Sequence, residues 1–196
     1  MTAINAKMVK ELRDRTGAPM MDCKEALTAS GGDVEKALEF LRKKGLKTAA
    51  KKASRATGEG LVAAYIHHTG KVGVLVEVDC ETDFAAKSEP FQAFLKDLTQ
   101  HIAAARPLYL SREEVPAEVI EKEREIYAAQ VTGKPENVVS KIVDGKMEKF
   151  FKESCLLEQP FVKDDKKSIG DLLKETVARV GENMVIRRFA RFDVGE

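Results

Sequence analysis

Nine residues constrain the fold most. In the run from Val72 to Cys80, valine returns at every second position, 72, 74, 76 and 78. Successive side chains of a strand point to opposite faces, so one face here is branched and apolar while Gly73, Leu75, Glu77 and Asp79 take the other. Such a segment requires a sheet with one covered face. Leu61 to His68 is a second run rich in β-formers, and Thr69-Gly70-Lys71 between them is short enough to close a hairpin. A third strand is expected over Asn183 to Val194. Its alternation falters at Arg187-Arg188, as a bulge or an edge position would make it.

Most of the remainder carries apolar residues at helical spacing. Ile4, Met8 and Leu12 form one stripe, halted by Thr16-Gly17-Ala18-Pro19. Asp22 is placed to cap a second helix, Cys23 to Ser30, closed by Gly31-Gly32. Asp33 caps a third, with Val34, Ala37, Leu38 and Leu41 on one side before Gly45. Three helices of this size make a bundle that is marginal alone, as suits a docking module on a larger body. The basic, Ala-rich stretch 46–56 reads as a helical linker, so residues 1–55 form an N-terminal module and 56–196 a core.

In that core, Ser88 is expected to cap a helix whose stripe is Phe91, Phe94, Leu95, Leu98 and Ile102, ended by Pro107. Two helices follow, roughly 116–131 and 136–154, joined by Thr132-Gly133-Lys134-Pro135. Their seam is thin and half polar, with Val119, Glu123, Ile126 and Gln130 on one and Val139, Ile142, Val143, Lys146 and Phe150 on the other. That is the pattern of a short antiparallel pair projecting from the body. Ile169, Leu172, Leu173, Thr176, Val177 and Val180 mark a last amphipathic helix. The expected class is α+β: a three-helix bundle, then a small three-stranded antiparallel sheet packed by helices.

Composition narrows the chemistry. The 33 basic and 32 acidic residues nearly cancel, but residues 1–56 hold 13 basic against 7 acidic and the rest hold 20 against 25. The densest basic run is Arg42, Lys43, Lys44, Lys47, Lys51, Lys52 and Arg55. It suits phosphates or an acidic protein face, and equally a solvated helix end. The acidic remainder and the scarcity of aromatics weigh against a direct nucleic-acid partner. No apolar run approaches the ~20 residues of a bilayer-spanning helix, so no membrane partner is expected. Cys23, Cys80 and Cys155 lie far apart with no CxxC spacing, which excludes a zinc knuckle and disfavours a disulfide framework.

Phosphate loops, dinucleotide fingerprints, HExxH and GxSxG are all missing, so no catalytic residue, cofactor or metal is expected. His67 and His68, adjacent on the first strand, should face opposite sides and so cannot share a metal. The polar turn after the valine strand, Glu81 to Lys87, carries one aromatic residue, Phe84. Thr82 or Asp83 can cap a helical turn there and fix the direction of Phe84. That ring either closes the local core or stands exposed as an interface anchor, and spacing alone leaves both open.

Four long motifs in order resolve this choice. VKELRDRTGAPMMDCKEALTASGGDVEKALEFLRKKG, KTAAKKASR, TDFAAKSEPF and VGENMVIRRFARF resemble the translation elongation factor Ts family over almost the whole chain. The resemblance implies a cytoplasmic guanine-nucleotide exchange factor, not an enzyme, whose partner is the GTPase elongation factor Tu. It implies a ubiquitin-associated-like N-terminal bundle, and an aromatic turn that enters the GTPase and disturbs its magnesium site. Matching positions here are Thr82, Asp83, Phe84 and Ala85, the last standing where family members often have Val. Arg13, Met20, Met21 and Lys24 match further partner contacts, as does Lys52 in the linker. Neighbours on a helix cannot share a face, so one of Met20 and Met21 is expected in the bundle core. His67 resembles a strand-end histidine of longer relatives, with a one-residue ambiguity against His68. Those relatives contain two half-cores and this chain has one, so a homodimer rebuilding the double core is expected.

Overall fold

The structure is a computed structural model that describes residues 4–131 and 135–195; the expected junction Thr132-Gly133-Lys134 lies outside the described residues. Helix α1, Ala6–Thr16, starts where Asn5 Oδ1 accepts the Met8 N–H at 2.9 Å, and stops at Gly17, whose φ of +67° is left-handed. Helix α2, Met20–Ala29, begins at Pro19 with no side-chain cap. The expected start at Cys23 is thus corrected: Pro19 fixes the entry φ at −54°, and Asp22 sits within the first turn, accepting the Lys44 ammonium at 2.9 Å.

Helix α3, Val34–Lys52, is capped as expected, with Asp33 accepting the Lys36 N–H at 3.1 Å. It does not stop at Gly45, and the expected linker is its continuation. A Cβ at Gly45 would lie 3.4 Å from that of Ala178, so the missing side chain admits a close neighbour without breaking the helix. Val9, Leu12, Cys23, Ala26, Leu27 and Ala37 are the buried centre of this three-helix bundle.

Strand β1, Glu59–Ile66, and β2, Val72–Cys80, are followed by helices α4, Asp83–Ala86, and α5, Glu89–Ala105. On β2, Val74, Val76 and Val78 are buried and Leu75 is exposed, as the alternation requires. The stripe Phe91, Phe94, Leu95, Leu98 and Ile102 is buried throughout. Ser88 donates its hydroxyl to the Ala85 carbonyl at 2.7 Å. Next come α6, Ala117–Ala129, and α7, Glu136–Ser154, then β3, Pro160–Phe161, and β4, Asp164–Ser168, an antiparallel pair. Helix α8, Ile169–Val180, and strand β5, Met184–Asp193, complete the order.

The larger sheet runs β1-β2-β5, so β5 is an edge. Arg187 and Arg188 are both exposed and reach Asp79 and Glu77, two residues of one face of β2, which is where the alternation falters. Strand β1 ends at Ile66, before the two histidines; the His67 N–H donates to the Val72 carbonyl at 2.8 Å and the hairpin turns. The expectation of opposed histidines fails for that reason, and their ring centroids stand 4.2 Å apart.

The described residues fall into two compact units, one of residues 4–61, 78–95 and 171–187, the other of residues 62–77, 96–131, 135–170 and 188–195. In the second, α6 buries no residue, and its seam with α7 holds an Arg124–Asp144 pair at 3.0 Å and the Lys146 ammonium 5.3 Å from the Tyr127 ring centroid. Arg112 anchors the base of α7, gripping Glu148 and Glu158 and lying 4.6 Å from the Phe151 ring centroid. His101 is buried there: Nε2 lies 2.9 Å from Gln159 Oε1, and Nδ1 accepts the Val162 N–H at 3.3 Å. The fold is α+β.

Candidate functional site

Strand β2 delivers the chain into the turn at Phe84. Its last residue, Cys80, is buried and donates its thiol hydrogen to the Thr82 carbonyl at 3.1 Å. Thr82 is the cap: its hydroxyl oxygen accepts the Ala85 N–H at 3.3 Å, and its carbonyl accepts the Ala86 N–H at 3.3 Å. Ala85 and Ala86 are buried, which fixes which side of α4 faces inward. Phe84 takes the other side and is 81% exposed, so it does not close the local core.

Charges around the turn are satisfied within the chain. The Lys87 ammonium, 2.7 Å from Asp83 Oδ2, holds that carboxyl below its ordinary range. Glu81 is also held low, first by accepting the Asn183 N–H at 2.6 Å and further by Arg55 at 3.4 Å. Buried Asn183 donates its side-chain amide to the Arg55 carbonyl at 2.8 Å. Glu182 accepts both the Thr82 N–H, at 3.0 Å, and its hydroxyl, at 2.8 Å. Sequence reasoning missed Glu182 and Asn183, because a contact across 100 residues leaves no local pattern.

The other expected contact residues are dispersed. Arg13 lies on α1 and Met20, Met21 and Lys24 on α2, all exposed. Met20 and Met21 are 44% and 71% exposed, which corrects the placement of one of them in the core. Cys23, Ala26 and Leu27 fill the covered face of α2, and both thioethers stand at its N-terminal end, outside that cluster. Lys52 is half-buried and donates to the Gly181 carbonyl. His67 is half-buried in the hairpin turn, 3.0 Å from the Tyr65 hydroxyl, while His68 is exposed. Thr82 to Ala85 and the bundle residues belong to the first unit and His67 to the second.

The basic run is largely paired within the chain. Arg42 meets Asp171 at 3.4 Å, Lys43 meets Glu39 at 2.7 Å, and Lys44 meets both Asp22 and Glu25. All three thiols are buried, and burial pushes Cys155 up to about 11, so none is a ready nucleophile. Among the described residues no three His, Cys, Asp or Glu side chains gather as metal ligands, and no helix is long and apolar enough to cross a membrane.

Known proteins place the chain. A family profile described as Elongation factor TS matches residues 2–196. The Elongation factor Ts of Acetivibrio thermocellus is 60% identical over 195 residues, covering 98% of this chain and 91% of that protein. That of Geobacter sulfurreducens is 58% identical over 196 residues, covering 99% and 91%. That of Desulfosudis oleivorans is 58% identical over 198 residues and covers all of both chains. With likeness of this level end to end, the chain belongs to the elongation factor Ts family, the exchange factors of translation elongation.

Proposed function

We propose that this chain drives GDP out of elongation factor Tu in the cytoplasm, and that Phe84 is the group that does so. The single observation behind this reading is the exposure of that ring, 81%, on a turn whose backbone is capped and whose next two residues, Ala85 and Ala86, are buried. Burial of an aromatic side chain converts into affinity only where little freedom remains to be lost, and a capped turn meets that condition. In the complex, Phe84 enters the GTPase beside the magnesium that holds the diphosphate. That cation is the largest local charge, so displacing its surroundings weakens GDP. By linkage, GDP weakens the factor to the same degree. Neither partner is consumed, and no acid, base or nucleophile is required of this chain.

Thr82, Asp83 and Ala85 shape the wedge. The 1–55 module, through Arg13, Met20, Met21, Lys24 and Lys52, grips the same GTPase, with His67 as a further contact. The exposed thioethers of Met20 and Met21 support that assignment. Release of labelled GDP from purified elongation factor Tu tests the reading. Catalytic amounts of this chain should accelerate release many-fold; an unchanged rate refutes it.

A homodimer is the second part of the proposal, and the outer face of the second unit's sheet supports it. Leu75 points away from the buried valines, and the Ile66 side chain lies over Gly73 on the same face. Arg191 turns inward to the Ala103 carbonyl, so alternation puts exposed Phe192 outside as well. With Val62, these form an apolar patch of the kind that closes against a second copy. Sedimentation equilibrium at micromolar concentration should give twice the 21.7 kDa chain mass, and a mass of one chain refutes the dimer.

A further inference from the structure

A four-residue helix such as α4 does not hold itself, because the first turn fixes several dihedrals for one hydrogen bond. What orders it lies outside it. Both donors of Thr82, the N–H and the hydroxyl, point at one carboxylate, Glu182, at 3.0 and 2.8 Å. The hydroxyl oxygen remains free to accept the Ala85 N–H. One residue along, the exchange runs the other way, with Glu81 accepting the Asn183 N–H at 2.6 Å. Segments 81–82 and 182–183 therefore trade carboxylate-to-backbone bonds in both directions. Two charge-assisted bonds to a single residue restrain its backbone and its χ1 together, and the direction of Phe84 follows from both.

We infer that Glu182 is a positioning residue for nucleotide exchange: its carboxylate locks Thr82 as the cap of α4 and so aims Phe84, without itself touching the GTPase. The inference rests on Phe84 being the wedge. Loss of one charge-assisted bond corresponds to about a tenfold change in the population of the ordered turn. Glu182 is only half-buried, so the effect is local to the turn.

The test uses the full chain and two variants. Glu182→Met keeps the length of the stem and removes both acceptors. Glu182→Gln keeps the shape, one acceptor, and an amide able to donate to the Thr82 hydroxyl oxygen. In the free protein, amide hydrogen exchange read by NMR should quicken by at least about tenfold at Thr82 and Ala85 in Glu182→Met, which loses both bonds, and less in Glu182→Gln. Protection of the α1–α3 core amides should stay as in the parent. With elongation factor Tu, Glu182→Met should lower the maximal rate of GDP release about three- to tenfold, with little change in the half-saturating concentration. Added to Phe84→Ala, it should slow release no further.

Unchanged Thr82 and Ala85 protection in Glu182→Met overturns the positioning role. So does an equal slowing by Glu182→Met in parent and Phe84→Ala backgrounds. A Phe84→Ala variant with parental activity overturns the wedge reading itself, whatever Glu182 does. If Glu182→Met fails to fold, Glu182→Gln carries both measurements, being the same shape as the parent.

Discussion

Replacing Phe84 by alanine should impair exchange and leave the fold alone. Complete burial of a Phe side chain contributes ~1.5–3 kcal/mol relative to exposure. Phe84 is 81% exposed in the free chain, so about 1.2–2.4 kcal/mol remains to be gained inside a partner. Were all of it used in the step that expels GDP, the maximal rate would fall about 8- to 60-fold. Stopped-flow release of a fluorescent GDP from elongation factor Tu, run over a range of factor concentrations, separates that rate from affinity. Leucine at the same position should give an intermediate rate. Removing an exposed side chain should move unfolding free energy by no more than about 0.5 kcal/mol, which urea titration checks. A Phe84→Ala protein that releases GDP within about twofold of the parent rate refutes the reasoning, since less than 0.5 kcal/mol would then have come from the ring.

Two further outcomes follow from packing and protonation. Burial lowers the pKa of His101, so the unfolded chain binds its proton first and stability contributed by the neutral ring is present above about pH 6.5 and lost as pH falls below it. As pH falls from about 7.5 to 5.5 the parent should lose stability that a His101→Gln variant keeps; equal pH slopes in urea titrations of the two would contradict the assignment. At Gly60, with φ of +157°, a Cβ would stand 2.4 Å from the Val78 carbonyl oxygen and 2.7 Å from Asp79 Cα, both backbone atoms. Gly60→Ala should therefore lower the unfolding free energy by roughly 1–3 kcal/mol, measured as a shifted urea midpoint at constant slope.

Legibility in the sequence followed the range of the forces involved. The valine strand, the Asp33 and Thr82 caps and the α5 stripe are set by neighbours within a few residues, so the local sequence reads or brackets them. Gly45 misled because glycine ends a helix only when nothing else favours continuing it, and here a close neighbour occupies the space. The histidines misled because alternation holds only while the chain stays extended. The β3–β4 pair is too short and polar to announce itself. Phe84 was ambiguous by spacing, since exposure depends on which side of α4 the buried alanines claim. The Glu182–Thr82 bonds were invisible, joining positions 100 residues apart through groups common on any surface.

The central claim is that an aromatic ring at position 84 acts on a partner's magnesium site, and removing the cation tests it most directly. GDP release from elongation factor Tu is measured with the parent chain and with Phe84→Ala, first in magnesium and then in excess chelator. In magnesium the parent should be many-fold faster. Without the cation nothing remains for the ring to displace, so the two proteins should converge on one rate. A gap between them that persists undiminished in chelator would contradict the mechanism.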